Sequence, residues 1–204
     1  MEFDLPKEAK LIQRTVREFA EQVVAPLVPH MEDADEFPTP LIRQMGELGL
    51  LGLVTPTEYG GSNMGYLARM IAVAELSRVS AAVGLCLPVH HMQVGAMSEF
   101  GSEAQKAKYL PALSRGDSLG TCAITEPTGG SDLLGMTCTA KSVPDGYVLT
   151  GRKCFITNCH LGEVPLSRQL IDTYQETGCT VLATIYDPPE IQRYGTLAIA
   201  QDGK

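Results

Sequence analysis

SEAQKAKYLPALSRG, residues 102–116, runs straight into DSLGTCAITEPTGGSD, residues 117–132, and the change of pattern between them decides the fold. The first piece opens on Ser102 and Gln105, a capping-box pair whose side chains satisfy two orphan amides at a helix start. It predicts a helix to about Leu113. Near Gly116 the helical period stops. Thr137 to Val143 alternates as a strand does, Pro144, Asp145 and Gly146 make a turn, and Tyr147 to Thr150 returns. Phe155, Ile156 and Thr157 read as a third short strand.

Upstream of residue 102 the pattern is helical throughout. Pro6 suits a first turn, and Ile12, Val16, Phe19, Ala20 and Val23 follow at helical spacing. Pro26 and Pro29 are expected to end that helix. Thr39 reads as an N-cap before Pro40, with Leu41, Ile42, Met45 and Leu48 on one face and Gly49 at the end. After a loop over residues 55–62, a third helix is expected from about Tyr66 to Val79. Ser80 caps a fourth, apolar nearly all round and so expected to be buried. Helices first and strands second is the order of an α+β protein. The expected architecture is an all-α N-terminal domain followed by the start of an antiparallel β-domain, then a short α/β-like tail.

Composition narrows the function. The chain has 204 residues, 44% hydrophobic and 20% charged, with a net charge of −8 and no run of Lys or Arg. That is ordinary globular composition in one or two domains, and it argues against nucleic acid or an anionic membrane surface as partner. The longest apolar stretch, Ala81 to Met97, is interrupted by Pro88, His90 and His91 and falls short of the ~20 residues that a membrane span needs. The start, Met1-Glu2-Phe3-Asp4, is acidic and reads as neither a secretory signal nor a transit peptide. Cys86, Cys122, Cys138, Cys154, Cys159 and Cys179 form no C-x-x-C pair, and are expected as reduced thiols in a cytosol-like compartment.

The segment richest in chemistry is Ala123 to Asp132, with Gly135 beyond it. It reads as a strand end running into a glycine-rich turn, with hydroxyls at Thr125 and Ser131. Glycines let backbone amides approach a ligand, and successive amides in a turn form an anion nest. A phosphate or an electron-rich ring edge would suit it, although Glu126 and Asp132 repel free phosphate. A tight surface turn accounts for the same residues.

This segment is similar to the first signature of the acyl-CoA dehydrogenase family, small-aliphatic-[Ser/Thr]-Glu-x-x-small-Gly-[Ser/Thr]-Asp-x-x-small, at every defined position through Gly135. Pro56, Glu58, Tyr59, Gly60 and Gly61 resemble the family's loop between helices. Phe100-Gly101 through Gln105, Lys108 to Pro111, and Gly116 resemble its lead into the signature. Gly151 through Lys153 with Phe155 to Asn158 resemble its Ile-Thr strand. The resemblance runs from about Phe3 to Asn158. It implies a helical domain over 1–116 and, over 117–158, the start of a β-domain that carries the flavin signature.

The resemblance implies FAD as cofactor. Thr125 would bond the flavin's pyrimidine edge. Gly130 and Ser131 would approach the pyrophosphate, and Ser131 would also touch the CoA arm of the substrate. Thr157 would bond near flavin N5, and Phe155 stands where the family usually has Trp beside the ring. Cys122 departs from the aromatic often found there, so no contact is carried to it. The implied reaction is α,β-dehydrogenation of an acyl-CoA thioester in fatty acid metabolism. Its electrons pass to an electron-transfer flavoprotein or similar acceptor, in a homo-oligomer of cytoplasm or mitochondrial matrix. The family's base is a Glu of a C-terminal helical domain, which this sequence does not reach. No catalytic residue is assigned, Glu126 is expected to be structural, and the chain is expected to be a fragment with little or no turnover.

After Asn158 the pattern departs. Residues 159–204, with Arg168 to Gly178 and Arg193-Tyr194-Gly195, resemble an inner piece of a sugar-1-phosphate nucleotidyltransferase of the glucose-1-phosphate uridylyltransferase type. That makes a fusion or assembly error near Asn158 to His160 the expectation, and a transferase fragment the alternative function. A non-catalytic helical module is a third. His90 and His91, about 100° apart on a helix, cannot share one metal and are expected to face a buried side or a wall of the acyl pocket. Cys154, Cys159 and His160 lack a fourth zinc ligand at suitable spacing. Met45, Met64, Met70, Met92 and Met97 are expected as core fillers.

Overall fold

The structure, a computed structural model, describes residues 4–34, 37–143 and 146–158. Contacts divide the chain after Gly120 into two units.

The first unit is helical. Helix α1, Lys7–Phe19, buries Ala9, Ile12 and Val16 on one stripe. Pro26 and Pro29 do not end the run as expected. A π-helical turn, Ala20–Val24, and a 3-10 turn, Ala25–Leu27, carry it into α2, Val28–Ala34. The reason lies in the ladder. A proline removes one i→i−4 bond and crowds the carbonyl four residues back. Here the Ala25 amide reaches back five residues to the Ala20 carbonyl and the Val28 amide only three to Ala25, so both prolines lie where the regular ladder is already suspended.

Helix α3, Thr39–Glu47, starts after Pro38 and not at a Thr39 cap. It buries Leu41, Ile42 and Met45, while Leu48 is left exposed past its end. Helix α4, Gly65–Ser77, packs against both α1 and α5. Helix α5, Ala81–Phe100, begins where the Ser80 hydroxyl accepts the Val83 amide at 3.3 Å. It is not buried all round as expected: Leu85 and Met92 lie in solvent, although no charged side chain occurs between Ala81 and Ser98. Helix α6, Glu103–Arg115, carries the predicted capping box and ends on Gly116 in the left-handed conformation. Of the five methionines expected in the core, Met45 and Met97 are buried, whereas Met64, Met70 and Met92 are exposed. The apolar run of α5 and the flanks of α4 supply more apolar positions than this unit covers.

Two polar devices join the helices. The Glu75 carboxylate on α4, 4% exposed, receives Arg17 Nη2 at 2.7 Å, Arg17 Nε at 2.9 Å and Gln13 Nε2 at 3.0 Å, all from α1. Arg17, then Gln13, hold its carboxyl below the usual range despite burial. On α5, His90 Nε2 meets the Leu51 carbonyl at 3.2 Å and His91 Nε2 meets that of Leu50 at 3.0 Å. Carbonyls only accept, so both rings carry the proton on Nε2. Both rings are buried, and they diverge enough to take two consecutive carbonyls of one turn.

In the second unit, strand β1, Thr139–Val143, pairs antiparallel with β2, Gly146–Thr150, in register Thr139 with Thr150. Residues 155–157 do not form the third strand: Phe155 has φ +56° and Asn158 φ +70°, which fold the chain out of the extended region. Residues 123–125 make no ladder either. The isolated bridge between Glu126 and Gly129 closes a tight turn instead. The expected α/β-like tail of 159–204, its transferase-like resemblance, Cys159, His160, Cys179 and Gly195 lie outside the described residues. Among the described residues no helix is long and apolar enough to cross a membrane.

Two outcomes follow from this packing. Leu76 is fully buried between helices, so Leu76→Ala is expected to cost about 2–5 kcal/mol in denaturant unfolding. Burial pushes His90 down to about 3 and His91 to about 4, while the unfolded chain protonates them near ~6.5. Their folded values are depressed, so the unfolded state binds more protons in that window. Stability is complete above about pH 6.5 and drains as pH falls. The melting temperature is expected to drop between about pH 6.5 and 5, before the carboxylates titrate, and less steeply in His90→Asn/His91→Asn. Calorimetry across that range reads the slope.

Candidate functional site

The glycine-rich segment begins with a reciprocal backbone pair. The Glu126 amide donates to the Gly129 carbonyl at 3.0 Å and the Gly129 amide to the Glu126 carbonyl at 3.1 Å, with Pro127 and Thr128 at the tip. Pro127 presets the turn. Beyond it, residues 129–132 are exposed. The Leu133 amide bonds the Ser131 carbonyl at 3.2 Å, and Asp132 Oδ1 accepts the Gly135 amide at 3.1 Å, which stiffens the loop's far side.

The loop is held from beneath by one carboxylate. Glu126 is 3% exposed. Its Oε2 accepts the amide and the hydroxyl of Thr137, each at 2.6 Å, and its Oε1 accepts the Cys138 amide at 3.0 Å and Lys153 Nζ at 2.9 Å. The Thr137 bonds, then Cys138 and Lys153, hold the Glu126 carboxyl well below the ordinary carboxylate range. Lys153 Nζ also donates to the Ile124 carbonyl at 2.9 Å. A buried charge pair is tolerated when hydrogen bonds complete it on both sides, and here they do. Burial raises the Cys122 and Cys138 thiols, which carry no disulfide.

These bonds set the expected flavin residues out along two neighbouring stretches. The Cys154 amide donates to the Thr125 carbonyl at 2.9 Å, and the Thr121 hydroxyl donates to the Thr157 carbonyl at 2.6 Å. The crossing order, 125 with 154 and 121 with 157, makes 121–126 and 153–158 antiparallel neighbours. Gly130 folds back on Thr125: a Cβ there would lie 3.2 Å from Thr125 Oγ1. Thr125, Gly130 and Thr157 therefore belong to one local assembly. Ser131 stands on the exposed loop. Phe155 is 91% exposed, a large aromatic face with almost nothing over it.

An exposed glycine loop, a hydroxyl beside it and an open aromatic face suit a ligand with an anionic part and a flat ring. They fit a flavin dinucleotide. Among the described residues no group of three His, Cys, Asp or Glu could hold a metal. Sequence reasoning gave Lys153, Thr137 and Thr121 no role. Lys153 had one visible signal, its place in the piece from Gly151 to Lys153 that leads into the Ile-Thr stretch.

Most of the chain is similar to known proteins. The model of the acyl-CoA dehydrogenase N-terminal domain matches residues 6–117. An acyl-CoA dehydrogenase of Bacillus subtilis (strain 168) is 43% identical over 153 residues, 74% of this chain and 40% of that protein. Among solved structures, a glutaryl-coenzyme A dehydrogenase in complex with glutaryl-CoA matches with a TM-score of 0.75 at 39% identity, covering 78% of this chain and 42% of that one. An acyl-CoA dehydrogenase complexed with FAD from Bacillus anthracis matches with a TM-score of 0.72 at 36% identity, covering 77% of this chain and 28% of that one. The chain spans about two fifths of the length of the curated relatives it matches. The family model covers more than half of the chain and the likeness extends to the fold: this chain belongs to the acyl-CoA dehydrogenase family.

Proposed function

We propose that the chain supplies the helical wall and the first flavin-holding segments of an FAD-dependent acyl-CoA dehydrogenase. The observation that carries this reading is the exposed loop of residues 129–132, braced by buried Glu126 and Lys153, with Gly130 folded onto Thr125, whose carbonyl takes the Cys154 amide next to exposed Phe155 in the chain. FAD, when bound, supplies the acceptor for a hydride leaving the β-carbon of an acyl-CoA thioester. Thr125 holds the pyrimidine edge, the backbone at Gly130 and Ser131 receives the pyrophosphate, and Ser131 also meets the CoA arm. Thr157 bonds near N5 and Phe155 lies against the ring. The helical part is assigned to 1–116 and the flavin segments to 117–158. Electrons pass to an electron-transfer flavoprotein or similar acceptor, in a homo-oligomer of cytoplasm or mitochondrial matrix.

Glu126 is not the base that removes the α-proton. Its two oxygens already accept four hydrogen bonds, and a base must have a free lone pair within reach of the proton it takes. No other residue of the chain is assigned that role, so the 204 residues by themselves are expected to bind flavin weakly and not to turn over acyl-CoA. The family match favours this reading over the nucleotidyltransferase fragment, which rests on residues 159–204, and over a non-catalytic helical module.

Titration of FAD with the purified chain, followed by absorption and fluorescence, tests the reading. Saturable binding is expected, weakened about 5–10-fold in Thr125→Val for the loss of one hydrogen bond. An FAD spectrum untouched at every protein concentration overturns it, and bleaching by an acyl-CoA overturns the expected lack of turnover. Glu126→Ala leaves Lys153 buried without its counter-charge. Amide exchange at Thr137 and Cys138 is expected to speed up, with FAD affinity falling alongside.

A further inference from the structure

His90 does one thing that His91 beside it does not. Its Nδ1 accepts the backbone amide of Gly120 at 2.9 Å while its Nε2 donates to the Leu51 carbonyl. An amide can only donate and a carbonyl can only accept, so this ring is a neutral Nε2–H imidazole with both nitrogens committed. His91 Nε2 holds the Leu50 carbonyl, and its Nδ1 has no partner among the described residues.

Gly120 is itself pressed against α5. A Cβ there would lie 2.7 Å from Gln93 Cβ and 2.9 Å from the His90 carbonyl oxygen, closer than side-chain carbons come to such atoms. The residue is buried, and it is the last of the helical unit. Next in the chain is Thr121, whose hydroxyl holds the Thr157 carbonyl, and four residues on is Thr125.

We propose that His90 is a positioning residue: it pins the Gly120 amide, so that the chain leaves the helical unit from a fixed point and enters the flavin-holding segment already ordered. The pin stands on geometry within the helical unit alone; its consequence for flavin rests on the function proposed above. A flexible start to 121–126 must be ordered when ligand binds, and a pinned one has met that cost beforehand.

Two isosteres separate positioning from mere packing. Asn places its amide oxygen where Nδ1 sits, and keeps an acceptor for Gly120 while losing the Leu51 bond. Gln places its amide nitrogen where Nε2 sits, and keeps the Leu51 bond while losing Gly120. Each variant sacrifices one hydrogen bond, so a purely structural role predicts equal effects. Under the proposal, H90N leaves Gly120 amide exchange within about twofold of the parent, whereas H90Q speeds it about tenfold or more. FAD affinity follows the same order, held in H90N and about 5–10-fold weaker in H90Q. His91→Asn, which breaks only the Leu50 bond, leaves Gly120 exchange unchanged.

A measurement on the parent chain needs no variant. A scalar coupling across the hydrogen bond from the Gly120 amide nitrogen to His90 Nδ1 is expected by NMR, and its absence overturns the pin. Equal Gly120 exchange in H90N and H90Q overturns it too. Should FAD leave the parent untouched while the coupling is present, the dehydrogenase reading falls and the pin stands. Should the parent bind FAD and the two variants lose affinity alike, the positioning role falls and the dehydrogenase reading stands.

Discussion

A carboxylate taken out of water has to be met on every side, and each unit of this protein is organised round one that is. Glu75 gathers Gln13, Arg17 and Arg78 and so ties α1 to α4. Glu126 gathers Thr137, Cys138 and Lys153 and so ties the glycine loop to the segments on either side of the hairpin. An uncompensated buried charge costs several kcal/mol, which makes such a site nearly all-or-none: every partner in place, or none of the local structure. The backbone around the glycine loop is held by that condition.

The helical unit uses neutral groups for the same end. Helix α5 has no charge from Ala81 to Ser98, and its two imidazoles are its means of gripping a turn by hydrogen bonds. Neutral imidazole suits a dry interior because it brings one donor and one acceptor without a charge to desolvate. The exposed Leu85 and Met92 on the same helix, with Tyr66, Leu67 and Met70 on α4, show that apolar sequence alone does not place a residue in the core.

Where the sequence misled, geometry explains why. Pro26 and Pro29 are helix breakers only against a regular ladder, and a π turn followed by a 3-10 turn leaves no regular bond for them to remove. Phe155, Ile156 and Thr157 have strand-like residue types, but positive φ at Phe155 and Asn158 turns the backbone away. Strand propensity measures how well a side chain fits a pleated, half-buried surface, and Phe155, exposed, has no such surface beneath it.

What the sequence by itself determined was local. The Ser80 cap, the capping box of Ser102 and Gln105, the change of pattern near Gly116 and the hairpin each depend on residues a few positions apart, and the family signature from Ala123 to Gly135 is a contiguous string. Tertiary structure decided which buried polar groups meet. Arg17 finds Glu75 across 58 residues, Lys153 finds Glu126 across 27, and Gly120 finds His90 across 30. No periodicity encodes such pairs. They are chosen when the chain closes, because a donor or acceptor that loses water must find whichever partner the packing has brought within 3 Å.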